Sequence, residues 1–270
     1  MSSLTRRLAA ASGSLVLIAS LAACSGGGSS DPSSASDRGS DGGGATERTL
    51  TVFAAASLTD VYGEINTEFV KEHPGVTIQM TNGGSNDLVT QISQGAPADV
   101  LATADTKTMD TAVQQGLIAG DPTTFATNEL TIAVQPGNPK GIATLQDLAK
   151  PDLTVVRCAA EVPCGSVTDQ ILADTGVTLT PASEENSVTD VLGKVTAGEA
   201  DAGLVYTTDV KRSDGKAEAI SIPEAAAHAT EYPIAVAKDS DNADLAKEYV
   251  DFVLSATGQA ALKDAGFGAP

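Results

Sequence analysis

The sequence predicts an α/β protein built as two lobes, on two observations. From Glu47 onward short apolar runs alternate with helix-patterned segments, and after the apolar run Leu130–Val134 the alternation starts afresh. A chain of 270 residues is long enough to bury a core in each lobe. Leu50–Ala54 is the first strand. Ser57–Glu72 follows as a helix, with Leu58, Val61, Ile65 and Phe69 on one face, Ser57 at the N-cap position and Asp60 three residues on; Pro74-Gly75 ends it. Val76–Met80 reads as a strand, Asn82-Gly83-Gly84 as a turn, Ser85–Gln94 as a helix, Asp99–Thr103 as a strand and Thr106–Gln115 as a helix. That βαβαβα order implies a mostly parallel sheet covered by helices. In the second half Leu145–Lys150 is a short helix, Leu153–Val156 a strand, Ser166–Ala173 and Ser187–Ala197 helices, and Ala202–Tyr206 a strand. Ile220–Ile222 is a further short strand, Tyr232–Ala237 another, and Ala243–Leu254 and Gln259–Ala265 are closing helices.

The first 46 residues stand apart from this pattern. Arg6 and Arg7 precede an apolar run that ends in Leu21-Ala22-Ala23-Cys24, so residues 1–23 read as a secretory signal, too short and too weakly flanked for a good membrane span. The tripeptide before Cys24 resembles the lipobox of bacterial lipoproteins, which implies cleavage before Cys24 and a diacylglycerol on its thiol; the alternative is a plain signal with an incidental cysteine. In residues 25–46, 14 of 22 are Gly or Ser, a composition that cannot order itself. As a flexible coil such a linker reaches roughly 25 Å.

Composition excludes several functions. A net charge of −19 argues against a groove for nucleic acid. Aromatic residues make up 3% and tryptophan is absent, which argues against a site built on stacking. The chain has two histidines: His73 sits in a helix-ending turn, where it can partner the helix dipole, and His228 falls in a loop-like stretch. No G-x-S-x-G, P-loop, G-x-G-x-x-G or H-E-x-x-H pattern occurs, so no catalytic residue, metal cation or cofactor is assigned. A secreted hydrolase is disfavoured by the missing nucleophile–base pair, and a surface adhesin would need no enclosed donors. With Cys24 committed to lipid, Cys158 and Cys164 are left as a close pair in an oxidising compartment, where a disulfide is expected.

The chemistry-bearing pattern is a set of hydroxyls at helix starts. Ser57-Leu58-Thr59-Asp60, Ser166-Val167-Thr168-Asp169 and Ser187-Val188-Thr189-Asp190 share S-x-T-D, and Ser85 opens a helix after Gly83-Gly84. Each serine alone is accounted for as an N-cap. Together they offer unpaired N–H groups, O–H groups and positive dipole ends, which can hold an oxyanion without a cation.

Four segments, taken in order, resemble the molybdate-binding proteins of ABC transporters: Thr51-Val52-Phe53-Ala54-Ala55-Ala56-Ser57-Leu58; Gly95-Ala96-Pro97-Ala98-Asp99-Val100 with Ala102-Thr103-Ala104-Asp105; Val205-Tyr206 with Thr207-Thr208-Asp209; and Glu231-Tyr232-Pro233-Ile234-Ala235-Val236. The resemblance runs from about Leu50 to the end. It implies a two-lobed type II periplasmic-binding-protein fold with the ligand in the cleft, lobe 1 comprising residues 47–127 and 233–270 and lobe 2 residues 128–232. It also implies the ligand donors: hydroxyl and N–H of Ser57 and Ser85, N–H of Cys164 and Val188, and the Tyr206 hydroxyl, with Ser166 an ordinary cap. Cys164 departs from the best-known members of the family, which carry a small non-thiol residue there, but only its backbone is used. The expected ligand is molybdate or tungstate, with sulfate or a small organic anion as the alternative. The expected partners are an ABC permease and the membrane through the lipid anchor alone, with the protein a monomer.

These readings give a first test. Mass spectrometry of the membrane fraction should find Cys24 as an acylated N-terminus; a mature chain that begins elsewhere and is released to the medium would refute the anchor.

Overall fold

The computed structural model describes residues 47–270; the signal segment, Cys24 and the linker lie outside the described residues. Two five-stranded sheets with flanking helices carry the chain. The first has the order β2-β1-β3-β10-β4, from β1 (Arg48–Ala55), β2 (Val76–Gly83), β3 (Val100–Ala102), β4 (Ile118–Asn128) and β10 (Thr230–Ala237). The second has the order β7-β6-β8-β5-β9, from β5 (Leu130–Val134), β6 (Val155–Cys158), β7 (Ser183–Glu185), β8 (Ala202–Tyr206) and β9 (Glu218–Ser221). Both are mixed rather than mostly parallel. β1 pairs parallel with β2 and β3, but β10 runs antiparallel to β3 and β4; likewise β6 is parallel to β7 and β8, while β5 is antiparallel to β8 and β9. The chain passes between sheets twice, at Glu129 and through the 3-10 turn Pro223–His228, which takes in His228 where the sequence suggested a loop.

Helices cover the first sheet on both faces. α1 (Thr59–Glu72), α7 (Ala243–Leu254) and α8 (Ala256–Ala265) bury Tyr62, Ile65, Phe69, Tyr249 and Phe252 with Leu50, Val52, Phe125 and Tyr232. On the opposite face α2 (Ser85–Ser93) and α3 (Thr106–Gln114) pack Leu88, Val89, Met109 and Ala112 against Phe53 and Leu101. In the second lobe α4 (Pro163–Thr175) and α5 (Val188–Thr196) bury Val167, Ile171, Val191 and Val195 on Ile132, Val156 and Leu204. The short α6 (Thr207–Lys211) follows β8 directly.

Several local expectations are corrected. The sequence pattern assigns no element to Ile118–Asn128, which contains Gly120, Asp121 and Pro122; β4 forms there by pairing with β10, with register shifts beside Pro233 that suit a residue lacking an N–H. Asn82 and Gly83 belong to β2 rather than to a turn, because they pair with Ala54 and Ala55. Ser57 caps nothing. It lies in a 3-10 turn (Ala56–Leu58), and α1 starts at Thr59 with no side-chain cap. Ser85 is the first helical residue of α2 after Gly84. Ser166 is inside α4, which Pro163 opens three residues earlier. Only Ser187 of the set caps as read, accepting the Asp190 N–H at 3.2 Å.

Cys158 and Cys164 form a disulfide, with Cα atoms 5.7 Å apart, that closes the loop from β6 into α4. Arg157 braces the same loop from beneath: its guanidinium donates to the carbonyls of Cys158 (3.0 Å) and Gly165 (3.3 Å) and pairs with Asp169 at 2.7 Å. In α6, Asp209 is fully buried and accepts the Tyr206 N–H at 2.9 Å. Burial pushes its carboxyl up to about 6, against the opposing pull of Arg212 at 3.1 Å.

Two stability measurements follow. Replacing both Cys158 and Cys164 by Ser should cost about 2 kcal/mol in denaturant unfolding, since the closed loop is short. For Asp209 the folded value lies above the unfolded value near 3.9. Its stabilising contribution is therefore complete below about pH 4 and is lost as pH rises through about 6. Relative to Asp209→Asn, the wild type should lose about 2–3 kcal/mol between pH 4 and 7; parallel pH profiles would contradict the assignment.

Candidate functional site

Open α/β sheets present their binding crevice beyond the carboxyl ends of their strands, where backbone direction changes and helices begin. Five segments of this chain leave five strand ends and meet there. Ser57 follows β1, Ser85 follows β2, Cys164 follows β6, Val188 follows β7, and Tyr206 is the last residue of β8. All five line one small hollow. Ser57 and Ser85 come from the first lobe and the other three from the second, so the hollow lies between the lobes.

Each donor has a local cause. Ser85 and Val188 are first helical residues and Cys164 is second, so their N–H groups have no acceptor within their own helices. Proline at the start of α4 fixes the turn that presents Cys164. The rest of the wall is small or apolar: Ala55, Ala56, Gly83, Gly84, Ala104, Val162 and Pro163. No lysine, arginine, histidine, aspartate or glutamate is among the lining residues. Glycine is required at position 84, since a Cβ there would collide with the backbone carbonyl of Asn186 in the other lobe.

The hydroxyls differ in their surroundings. Ser57 Oγ shares a hydrogen bond of 2.9 Å with the Tyr232 hydroxyl, and Ser85 Oγ accepts the Ala104 N–H at 3.1 Å. The Tyr206 hydroxyl is buried with no hydrogen-bond partner among the described residues. Burial pushes its phenol well above the usual range, so it stays a protonated donor at neutral pH. A site of N–H and O–H donors without a carboxylate satisfies an anion that carries acceptors only.

The remaining singled-out residues lie elsewhere. Ser166 borders a separate polar hollow with Gln170, His228 and Glu231. His73 stacks on Phe69 at 3.9 Å, and His228 pairs with Asp174 at 2.9 Å. Among the described residues no group of three His, Cys, Asp or Glu could hold a metal ion, and no helix is long and apolar enough to cross a membrane. Tyr232 and Asn128, which back the Ser57 side of the hollow, are not among the residues that the sequence points to; Tyr232 lies within the Glu231–Val236 segment, where the resemblance implies no role for it.

Comparison with known proteins agrees with this architecture. Residues 50–268 match the family described as bacterial extracellular solute-binding protein. The molybdate-binding protein ModA of Mycobacterium tuberculosis is 47% identical over 223 residues, 83% of this chain and 85% of the relative. Among solved structures, the periplasmic molybdate-binding protein of Azotobacter vinelandii superposes with a TM-score of 0.72 at 21% identity, covering 82% of this chain and 99% of the other. The sulfate-binding protein SubI of M. tuberculosis also gives 0.72, at 19% identity, over 81% of this chain and 86% of the other, so the fold alone does not separate the two ligands. With a matched segment that spans both lobes, this chain belongs to the bacterial extracellular solute-binding protein family.

Proposed function

We propose that this protein captures molybdate, or the similar tungstate, outside the cell membrane and hands it to an ABC permease, held near the membrane by a lipid on Cys24. The observation that carries the reading is the composition of the hollow: donors from five strand ends, no charged side chain and no carboxylate. Molybdate at neutral pH is a deprotonated tetrahedral dianion and can accept from all of them. Hydrogen phosphate brings a proton that would find no carboxylate to accept it. Sulfate lacks that proton, so size must separate it from molybdate; the high identity to a molybdate-binding relative favours the larger anion. The lipid anchor is supported by the Leu21-Ala22-Ala23-Cys24 sequence and the Gly/Ser linker behind it.

In this reading Ser57, Ser85 and Tyr206 give O–H donors and Cys164 and Val188 give N–H donors. Binding transports the ion and changes no bond, so the protein acts as a receptor rather than as an enzyme.

Calorimetry with molybdate, tungstate, sulfate and phosphate tests the ligand; sulfate bound as tightly as molybdate would refute the assignment. A hydrogen bond to a charged partner contributes about 1.5–3 kcal/mol, so Ser85→Ala and Tyr206→Phe should each weaken molybdate binding roughly ten- to a hundredfold. Ser166→Ala, on the separate polar hollow, should keep wild-type affinity. Loss of affinity there equal to that of Ser85→Ala would mean that the donor set is misassigned.

A further inference from the structure

The Ser57–Tyr232 hydrogen bond leaves open which hydroxyl donates, and the residues behind it decide the question. Asn128 is buried at the end of β4, where the chain leaves the first sheet. Its Oδ1 accepts the Glu129 backbone N–H at 3.0 Å, a group that can only donate, so the amide orientation is fixed. Thr207 Oγ1 lies on the same oxygen at 3.2 Å. Asn128 Nδ2 therefore faces the other way, donating to Thr208 Oγ1 at 2.8 Å and to the Tyr232 hydroxyl at 3.4 Å. A phenol oxygen that accepts from Asn128 has its own proton free to donate; the nearby Tyr206 hydroxyl makes no hydrogen bond with it, which leaves Ser57 Oγ at 2.9 Å as the acceptor. Ser57 then accepts from behind, and its proton has to point away from Tyr232.

We infer that Asn128 and Tyr232 are positioning residues that set the direction of the Ser57 proton, turning the Ser57 hydroxyl into an obligate donor to the bound anion. Ser85 is polarised the same way by a simpler device, since its Oγ accepts the Ala104 backbone N–H. Tyr206 completes the set with a hydroxyl that has no protein acceptor among the described residues. Three hydroxyls that could each have accepted or donated are thereby committed to donating. Such a site selects against an oxyanion that carries its own proton, and it does so without a charged residue. The inference rests on the oxyanion reading above. It extends that reading from which groups touch the ion to what fixes their polarity.

A double-mutant cycle on the full chain tests it, with molybdate and sulfate titrated in parallel and ligand-free melts to confirm folding. Tyr232→Phe removes only the hydroxyl and should weaken anion binding roughly tenfold. In a Ser57→Ala background the same change should alter affinity by no more than about twofold, because the orientation it supplies has nothing left to act on. An equal loss in both backgrounds, or no loss in either, would overturn the proposal. Asn128→Asp replaces the donor by an acceptor, so Tyr232 would give its proton to Asp and draw the Ser57 proton out of the hollow. That variant should lose more than Tyr232→Phe, roughly a hundredfold, and adding Tyr232→Phe to it should restore part of the loss. A further loss in the combined variant would contradict the relay. Sulfate preferred over molybdate with the Ser57–Tyr232 coupling intact would overturn the ligand and leave the relay standing; heat from neither anion in wild type would overturn both.

Discussion

An anion held between these lobes has to be held by dipoles, because no cationic side chain lines the hollow. That constraint explains much of the arrangement around it. A single N–H or O–H dipole is weak against the cost of removing an ion from water, so several must converge within one ion's reach. Strand ends and helix starts supply them most economically, since the first N–H groups of a helix have no internal partner. The protein's net charge of −19 is compatible with such a site, because distant surface charge is screened while enclosed dipoles are not. The same constraint accounts for the small residues around the donors: Gly83, Gly84, Ala55 and Ala104 let backbone approach where a larger side chain would hold it away.

The support behind the donors is built with similar economy. Residues Cys158–Gly165 must present one N–H, that of Cys164, at a fixed place. The disulfide ties the two ends of that stretch, and the buried Arg157 guanidinium gathers the carbonyls of Cys158 and Gly165 from below. Gly165 fits there because a Cβ would run into the Ala159 carbonyl. On the other side of α6, Arg212 pairs with Asp209 and reaches Asp60 of the first lobe at 3.6 Å, so one guanidinium touches both lobes next to Tyr206.

Much of this was legible in the sequence where one element speaks for itself. Ala202–Tyr206 and Ala243–Leu254 fall where apolar run and helical period placed them. The failures share a cause. β4 carries no strand signal of its own because its stability comes from β10, more than a hundred residues away. The serines at 57, 85 and 166 looked alike because S-x-T-D and Gly-Gly-Ser are local patterns, whereas only Ser187 has its oxygen on a helix N–H; the others are placed by a 3-10 turn, a strand end and an earlier proline. The helix-start pattern points to Ser57, Ser85 and the Ser187-Val188 start, with Ser166 on equal terms; the full set of five donors, with Cys164 and Tyr206, comes from family resemblance. The orientation of Ser57 was out of reach, since its partners Tyr232 and Asn128 are brought to it by the passage between sheets.

That passage has a consequence for how the molecule can be rearranged. The second sheet is made entirely of chain that lies between β4 and β10, and the two ends of this stretch are neighbours: Asn128 and Thr230 stand opposite each other in register. The second lobe is thus a cassette with adjacent termini, spliced into the first at one antiparallel pair. Two edits at that pair would exchange Cys164, Val188 and Tyr206 as a block while leaving Ser57 and Ser85 in their own lobe, so the two halves of the donor set are separable units of inheritance.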